Sequence, residues 1–282
     1  ASGKPYAFGT CGSADAIAKF EPRELAEMGI DSIWIGRESK FRPYHKNEGA
    51  DLKALIAALG EWGIRVILSS ILLLDEHTPD NIWEDIDEHL GCRPTFSQFS
   101  HLSPAPGTPL WAQMEADGRL LNSIPYEECH AFKQPWFVHP RFSLLEAERL
   151  QRDAYLRDFY TLGPSLARLI VTTARGMKSF ARTDSPPLLA RARRFERRKW
   201  FYKSAMYDME LLAEDPGLRG VVRELREEME AIVGPVNGFE KIVAAGAYTL
   251  GSATRAYQRV FSDVLQPRTT VTHYPADWKP RP

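Results

Sequence analysis

Cysteine is scarce in this chain, and the cysteines that occur are far apart. There are three, Cys11, Cys92 and Cys129, and none of them forms a C-x-x-C or similar pair. This spacing excludes a disulfide framework and a zinc site built from neighbouring cysteines. It favours a reducing, cytoplasmic setting, since small secreted domains are usually dense in disulfides.

The sequence also lacks a long hydrophobic run and an excess of one charge sign. The longest apolar run, residues 66–74, is interrupted by Ser69 and Ser70 and is far shorter than the roughly 18 residues of a membrane-spanning helix. The 282 residues carry a formal net charge of −1, with 26% charged and 44% hydrophobic residues. This balance indicates a globular protein and gives no general reason to expect nucleic acid as a partner.

Short apolar runs alternate with helical patterns over roughly the first 120 residues. The strands predicted from these runs are residues 6–11, 31–35, 64–74 and 95–102. The helices between them are predicted to begin at Glu21-Pro22, at Asp51 and at Thr78-Pro79. This order predicts parallel strands joined by right-handed crossovers, and the run at residues 33–35 predicts a strand covered on both faces. A closed barrel of this type has about eight strands, and about four are predicted here. We therefore expect an α/β fold whose sheet is either open or an incomplete, partial TIM-type barrel.

The pattern becomes helical after Ser143, which is spaced with Glu146 for a capping box. Breaks between the helices are predicted at Gly163-Pro164, Ser185-Pro186-Pro187, Asp215-Pro216 and Gly234-Pro235. We therefore expect three parts. They are residues 1–125 in the partial barrel, 126–265 in an all-α C-terminal domain, and 266–282 in a proline-rich extended tail.

Polar residues follow the second predicted strand, where Gly36 precedes Arg37, Glu38 and Ser39. In α/β folds, ligands bind at the carboxyl ends of parallel strands. A Glu-Ser pair at such an end can exchange hydrogen bonds with a polyol such as ribose. The alternative is structural, with Glu38 paired to Arg37 or Lys40 and Ser39 capping a turn.

Three stretches in order resemble radical S-adenosylmethionine (SAM) enzymes, and most closely their cobalamin-binding subgroup. IWIGRES at 33–39 resembles the fourth strand of that family, and GIRVILSSILLLDEHTPDNI at 63–82 resembles the fifth strand with its helix. QFSHLSPAPGTPLW at 98–111 resembles the sixth strand with its proline-rich turn. The resemblance covers residues 6–121 and extends to the helical region only in character.

The resemblance implies that SAM binds at the carboxyl ends of these strands. Glu38 and Ser39 would contact the ribose, and the segment from Ser100 to Pro104 would pass near the adenine. The implied cofactor-binding residues are Gly36, Glu38, Ser39, Ser69, Ser100, Leu102 and Pro104. One departure is Leu73, where the family usually has glycine.

The family holds a [4Fe-4S] cluster in a Cys-x-x-x-Cys-x-x-Cys loop, which this chain does not contain. The resemblance implies that the cluster, the first two strands and any cobalamin domain would precede Ala1. The intact enzyme would form a 5′-deoxyadenosyl radical, abstract a hydrogen from a small or lipid-like substrate and, with cobalamin, often act as a methyltransferase. The chain alone is expected to be inactive.

Two other patterns and a second function are weighed against this interpretation. Cys129, His130 and His139 are possible metal ligands, but their spacing fits no zinc pattern, so no metal site is predicted.

The basic run from Arg191 to Lys203 (RARRFERRKWFYK) predicts either an amphipathic helix with solvated arginines or a surface that binds RNA or anionic lipid. Acidic residues nearby make nucleic acid the less expected partner, while a peripheral membrane contact stays open. The second function is a non-catalytic accessory protein made of a degenerate half-barrel and a helical domain.

Overall fold

The computed structural model describes residues 6–42, 47, 49–124, 128–132 and 134–261. The strands are β1 (Phe8–Cys11), β2 (Ile30–Glu38), β3 (Arg65–Leu72) and β4 (Phe96–His101). The helices among and after them are α1 (Ala14–Ile17), α2 (Pro22–Glu27), α3 (Leu52–Glu61), α4 (Ile82–Gly91) and α5 (Pro109–Ala116). The helical half contains α6 (Leu144–Leu162), α7 (Ser165–Phe180), α8 (Pro186–Glu196), α9 (Lys199–Leu212), α10 (Pro216–Val233) and α11 (Gly238–Phe261). The predicted tail, 266–282, lies outside the described residues.

The strands form one four-stranded sheet in the order β1-β2-β3-β4, and every neighbouring pair is parallel. Ile33 lies opposite Val66, and Leu68 lies opposite Ser97. The fold is therefore α/β, with a parallel sheet followed by helices. This result confirms the predicted strand order and direction. β2 extends three residues beyond its predicted end at residue 35, because Gly36, Arg37 and Glu38 continue the strand.

Side chains along each strand alternate between two faces that are covered differently. On one face, here called the helix face, Ile33, Ile35 and Leu68 pack in a core with residues of α2, α3, α7 and α8. The other, here called the opposite face, is formed by Ser32, Trp34, Gly36, Ile67, Ser69, Ile71, Phe96, Gln98 and Ser100. Trp34 is 39% exposed. The prediction that residues 33–35 are covered on both faces is therefore wrong, because only the two isoleucines of that run point to the helices.

The helical half shares its core with the sheet. Phe180 of α7 and Leu188 of α8 belong to the cluster that contains Leu68, and Leu150 of α6 belongs to the cluster that contains Phe99. A buried ion pair supports this packing, since Arg168 of α7 donates to Asp158 of α6 at 2.7 and 2.9 Å and to the Pro94 carbonyl at 3.3 Å. The expected division at residue 125 therefore does not coincide with a division between hydrophobic cores.

Local hydrogen bonds decide where the helices begin. Ser143 and Glu146 form the predicted capping box at the start of α6. The predicted helix start at Thr78-Pro79 is wrong, because Thr78 and Asn81 exchange two hydrogen bonds of 2.8 and 3.1 Å in a turn, and α4 begins only at Ile82. Side-chain competition of this kind is common for threonine and asparagine, whose polar groups mimic backbone partners.

Two glycines allow α7 to contact the turn after α3. Gly63 has a φ of +67°, and a Cβ added to Gly176 of α7 would lie 2.5 Å from the Gly63 Cα atom. Real Cβ atoms do not approach backbone so closely, so the two elements pack at this distance only because both positions lack a side chain.

Replacing Gly176 with alanine tests this contact. We expect Gly176→Ala to lower the free energy of unfolding by about 1–3 kcal/mol, because the added methyl group overpacks the interface. Gly220→Ala in α10 is the matched control, since nothing lies within 4 Å of its added Cβ. The control should raise the free energy of unfolding by about 0.5–1 kcal/mol through helix propensity. Chemical denaturation measures both values, and stabilisation by Gly176→Ala would contradict the close contact.

Candidate functional site

The carboxyl ends of β2, β3 and β4 place a row of polar groups on the opposite face. The register aligns Gly36, Ser69 and Gln98 across the three strands, and Ser100 lies beside Ile71 one step closer to the carboxyl ends. Ser69 and Gln98 are half-buried. Gln98 Oε1 is buried and accepts no hydrogen bond from the described residues. A buried acceptor without a donor is unfavourable, so this row is suited to a ligand that donates hydrogen bonds.

Gln98 was not among the sequence-predicted site residues. The signal that could have identified it is the alternation along β4, which places Phe96, Gln98 and Ser100 on the same face as Ser69 of β3. Sequence reasoning selected Ser100 and Leu102 through the resemblance and did not extend the period of two backwards along the strand.

Strands β2 and β3 both end in left-handed backbone. Glu38 has a φ of +67° and Leu73 a φ of +64°, conformations that are uncommon outside glycine. The register of β2 against β3 also shifts between Gly36 and Glu38. Leu73 is the position where the resembled family usually has glycine, and its backbone keeps the conformation that glycine favours. Strain of this kind persists only where the surrounding structure enforces it.

A buried polar network lies beneath these strand ends, on the helix face. Arg37 contacts Asp85 of α4 at 2.8 Å, and Asp85 Oδ2 lies 3.0 Å from His77 Nε2. Ser39 is buried and its Oγ lies 3.2 Å from the same His77 nitrogen. Burial raises the pKa of Asp85, but the hydrogen bond from His77 and the charge of Arg37 outweigh it and hold that pKa well below its ordinary value. The carboxylate is therefore ionised at neutral pH.

This network is not a nucleophilic triad, although it contains a serine, a histidine and an aspartate. His77 Nδ1 accepts the Leu74 N–H at 3.0 Å, so the ring proton is on Nε2, the nitrogen that faces both Ser39 and Asp85. A triad requires the serine and the carboxylate on different nitrogens of the ring. The Ser39 hydroxyl also accepts the Phe41 N–H at 3.1 Å, which is the turn-capping role left open by the sequence. Its geometry gives no support to a ribose contact.

Asp85 should therefore matter for stability. We expect Asp85→Ala to lower the free energy of unfolding by about 3–5 kcal/mol, because it leaves the buried Arg37 guanidinium without its buried partner. Glu88→Gln is the matched control, since Glu88 contacts the same guanidinium at 3.0 Å but its side chain is 54% exposed. Its effect should stay below about 1 kcal/mol. Similar losses for the two variants in chemical denaturation would contradict this assignment.

The remaining predicted residues lie in the segment after β4. The Leu102 N–H donates to the Leu72 carbonyl at 2.8 Å, and its side chain packs on the cluster around Phe99. Pro104 is buried, and Thr108 caps α5 by accepting the Trp111 N–H at 3.3 Å. The Pro-Gly-Thr turn therefore starts a helix. Of the predicted set, Gly36, Ser69 and Ser100 share the opposite face, and Glu38 ends β2 beside Ser70, after the register shift.

The possible metal ligands do not form a site. His139 Nε2 lies 2.9 Å from the Leu74 carbonyl, and its Nδ1 accepts the Arg141 N–H at 3.1 Å, so backbone groups occupy both ring nitrogens. Over the described ranges, no three His, Cys, Asp or Glu side chains are grouped to hold a metal ion. None of the three cysteines forms a disulfide bond, and Cys92 Sγ contacts the Glu88 carbonyl on the helix side of the sheet.

Two histidines near the strand ends, His89 and His101, are buried, which disfavours their charged forms. Desolvation, together with the charge of Arg37, lowers the pKa of His89 to about 3. Desolvation lowers the pKa of His101 to about 4, and neither ring nitrogen of His101 contacts a partner among the described residues. Both groups bind a proton more readily in the unfolded chain, so the fold loses stability as the pH falls below the unfolded pKa of about 6.5.

Substitution of His101 with leucine should reduce this acid sensitivity. With a folded pKa of about 4, His101 should remove about 1.5 kcal/mol of the free energy of unfolding between pH 6.5 and 5. His101→Leu should remove that part of the pH dependence, since leucine does not titrate and leaves no unpaired nitrogen. Urea denaturation across this pH range measures the difference, and an identical slope for both proteins would contradict the burial of an uncharged imidazole.

Comparisons of the chain with models of protein families, with curated proteins and with solved structures found no match. Within the part of the chain that the structure describes, no helix is both long enough and apolar enough to cross a membrane.

Proposed function

We propose that this chain is the carboxyl-terminal half of a radical SAM enzyme barrel, of the cobalamin-binding subgroup, and that it binds the adenosyl part of SAM. The observation that carries this proposal is the polar row on the opposite face, at the carboxyl ends of parallel strands where β2 and β3 turn into left-handed backbone. Ligands of α/β folds bind at this end of the strands.

The sheet topology supports a partial barrel. Four parallel strands follow one another in sequence order, and the helices that pack on them occupy one face. In a barrel that face is the outside, and the opposite face lines the interior. β1 is the edge strand and its four residues are exposed, so this edge has room for further parallel strands.

The residues at the carboxyl ends of the strands have distinct roles in the proposed site. The carboxylate of Glu38 would accept hydrogen bonds from the ribose hydroxyls, and Gln98 Oε1 would accept one from a ligand donor such as the adenine amino group. Gly36 and Ser69 would lie under the ligand, where small side chains leave space. Ser100 donates to the Ser70 carbonyl at 3.4 Å and would form the wall beside Ile71.

The cofactors implied for the whole enzyme do not fit the residues described here. A [4Fe-4S] cluster needs thiolate ligands, and Cys11 lies on β1 while Cys92 follows α4 on the helix side of the sheet. The resemblance implies that cobalamin, like the cluster, is held by residues before Ala1. In the proposal, both groups belong to a part of the enzyme outside this sequence, and this chain supplies the SAM contacts and part of the substrate cavity. A cytoplasmic location stays a prediction.

A second function is an accessory protein that uses the same face to bind a partner without chemistry. Two observations favour it. Ser39 is engaged with His77 and the Phe41 N–H, so it is not presented to a ligand, and the three cysteines are far apart. The two functions differ in ligand, because the enzyme half must bind SAM and the accessory protein need not.

Calorimetric titration of SAM into the chain tests the proposal. We expect binding to the unmodified chain and a loss of affinity of about ten- to a hundredfold for Glu38→Gln, which removes a charged acceptor. Ser69→Leu should weaken binding as well, because it fills the polar row.

Glu61→Gln is the control for these variants. It removes the same charge from a side chain that is 61% exposed at the end of α3, far from the carboxyl ends of the strands. The affinity of the Glu61→Gln variant for SAM should stay within about twofold of that of the unmodified chain. A folded chain that gives no heat of binding, or equal affinities for Glu38→Gln and the unmodified chain, would contradict the proposal.

Iron–sulfur content gives a separate test. We expect anaerobic reconstitution of this chain to give no stoichiometric cluster, since the three cysteines do not converge. Iron and sulfide assays measure the outcome, and a stoichiometric [4Fe-4S] cluster would overturn the assignment of the cluster to another part of the enzyme.

A further inference from the structure

A pocket of about 250 Å³ lies at the amino ends of the strands, opposite to the proposed SAM site. Asp31 near the start of β2 and Arg65 at the start of β3 form one side of it. The other side comes from α7, α8 and the start of α9. Its lining residues of interest are Arg65, Arg191, Arg194, Arg198, Phe180 and Tyr202.

The pocket carries an uncompensated positive charge. Four guanidinium groups line it, from Arg65, Arg191, Arg194 and Arg198, and Asp31 is the one carboxylate among the described lining residues. Asp31 contacts both Arg65 and Arg191, the latter at 2.6 Å. Arg194 and Arg198 form no ion pair with the described residues and are exposed toward the pocket mouth. Three positive charges therefore remain after the single carboxylate is counted.

Buried donors in this pocket lack acceptors. Arg191 Nη1 and Arg65 Nε are both buried, and neither donates a hydrogen bond to any described group. Desolvation lowers the pKa of Arg191 although Asp31 opposes the change, and the like charge of Arg65 adds to it. Buried guanidinium donors are unfavourable without an acceptor, so an anion that accepts from them would stabilise this arrangement.

Aromatic rings form the apolar side of the pocket. Arg191 lies over the Phe180 ring, with 4.8 Å between the guanidinium carbon and the ring centroid. Phe195 and Tyr202 stack with centroids 5.1 Å apart and an angle of 13° between their planes. The contact with Phe180 helps to hold the Arg191 guanidinium in place, and a preorganised guanidinium suits the bidentate recognition of phosphate.

We propose that this pocket is a binding site for a phosphate-bearing anion, held by Arg65, Arg191, Arg194 and Arg198. A phosphate group carries between one and two negative charges at neutral pH and three strong acceptor oxygens, which matches the remaining charge and the unpaired donors better than a single carboxylate does. The ligand is a small organic phosphate or the phosphate headgroup of a lipid. This site assigns a role to part of the basic run from Arg191 to Lys203 and is independent of SAM binding.

Inorganic pyrophosphate is the probe for the soluble source. Titration calorimetry at fixed ionic strength should detect binding to the unmodified chain, and Arg194→Gln and Arg198→Gln should each weaken it by about tenfold. Arg193→Gln and Arg197→Gln are the matched controls, because these neighbours are equally exposed but do not line the pocket. Thermal melts confirm that all four variants are folded.

Vesicles of phosphatidylcholine with and without phosphatidic acid distinguish the lipid source. Binding only to the vesicles with phosphatidic acid, lost in Arg194→Gln and Arg198→Gln and competed by pyrophosphate, would support the site with a headgroup as its ligand. An equal loss of binding in the control variants Arg193→Gln and Arg197→Gln would indicate a diffuse basic surface and overturn the proposal. The proposal would also be overturned if the folded protein binds neither pyrophosphate nor these vesicles.

Discussion

One face of the parallel sheet packs against helices, so alternate residues of β2, β3 and β4 form the core, while the four residues of β1 are exposed. The helices that contribute to these cores include α2, α3, α4, α6, α7 and α8. Parallel sheets usually have both faces covered. Here the opposite face keeps an apolar row, Trp34, Ile67 and Phe96, followed toward the carboxyl ends by the polar row of Gly36, Ser69 and Gln98. The helical half completes the helix face and therefore leaves the opposite face as the surface available for a ligand.

The two ends of the sheet carry different chemistry. At the carboxyl ends, Arg37 and Asp85 neutralise each other in a buried network that includes His77, and the other polar groups are carboxylate, amide and hydroxyl. At the amino ends, arginines outnumber the single Asp31 and buried donors lack acceptors. The first end suits a neutral or cationic polyol ligand, and the second suits an anion. Under the two proposals, one chain would hold two ligands of opposite character at opposite ends of the sheet, without competition between them.

Sequence periodicity predicted the parallel order of the strands and most helix boundaries, because these depend on local pattern and capping. It did not predict that Trp34 is exposed, since an apolar run looks the same whether one or both faces are covered. It missed the late start of α4, which depends on the exchange of hydrogen bonds between Thr78 and Asn81. It missed the burial of Ser39 and the role of Gln98, because both depend on which face the neighbouring strand presents.

The most direct test of the central claim uses isoleucine methyl groups as reporters of the two faces. Ile67 and Ile71 lie on the opposite face, while Ile33 and Ile35 of the same sheet point to the helices. Methyl NMR spectra recorded during a titration with SAM compare these four groups within one protein. If the adenosyl part binds as proposed, the signals of Ile67 and Ile71 shift and those of Ile33 and Ile35 stay in place. Unshifted signals for Ile67 and Ile71 at saturating SAM would contradict the account.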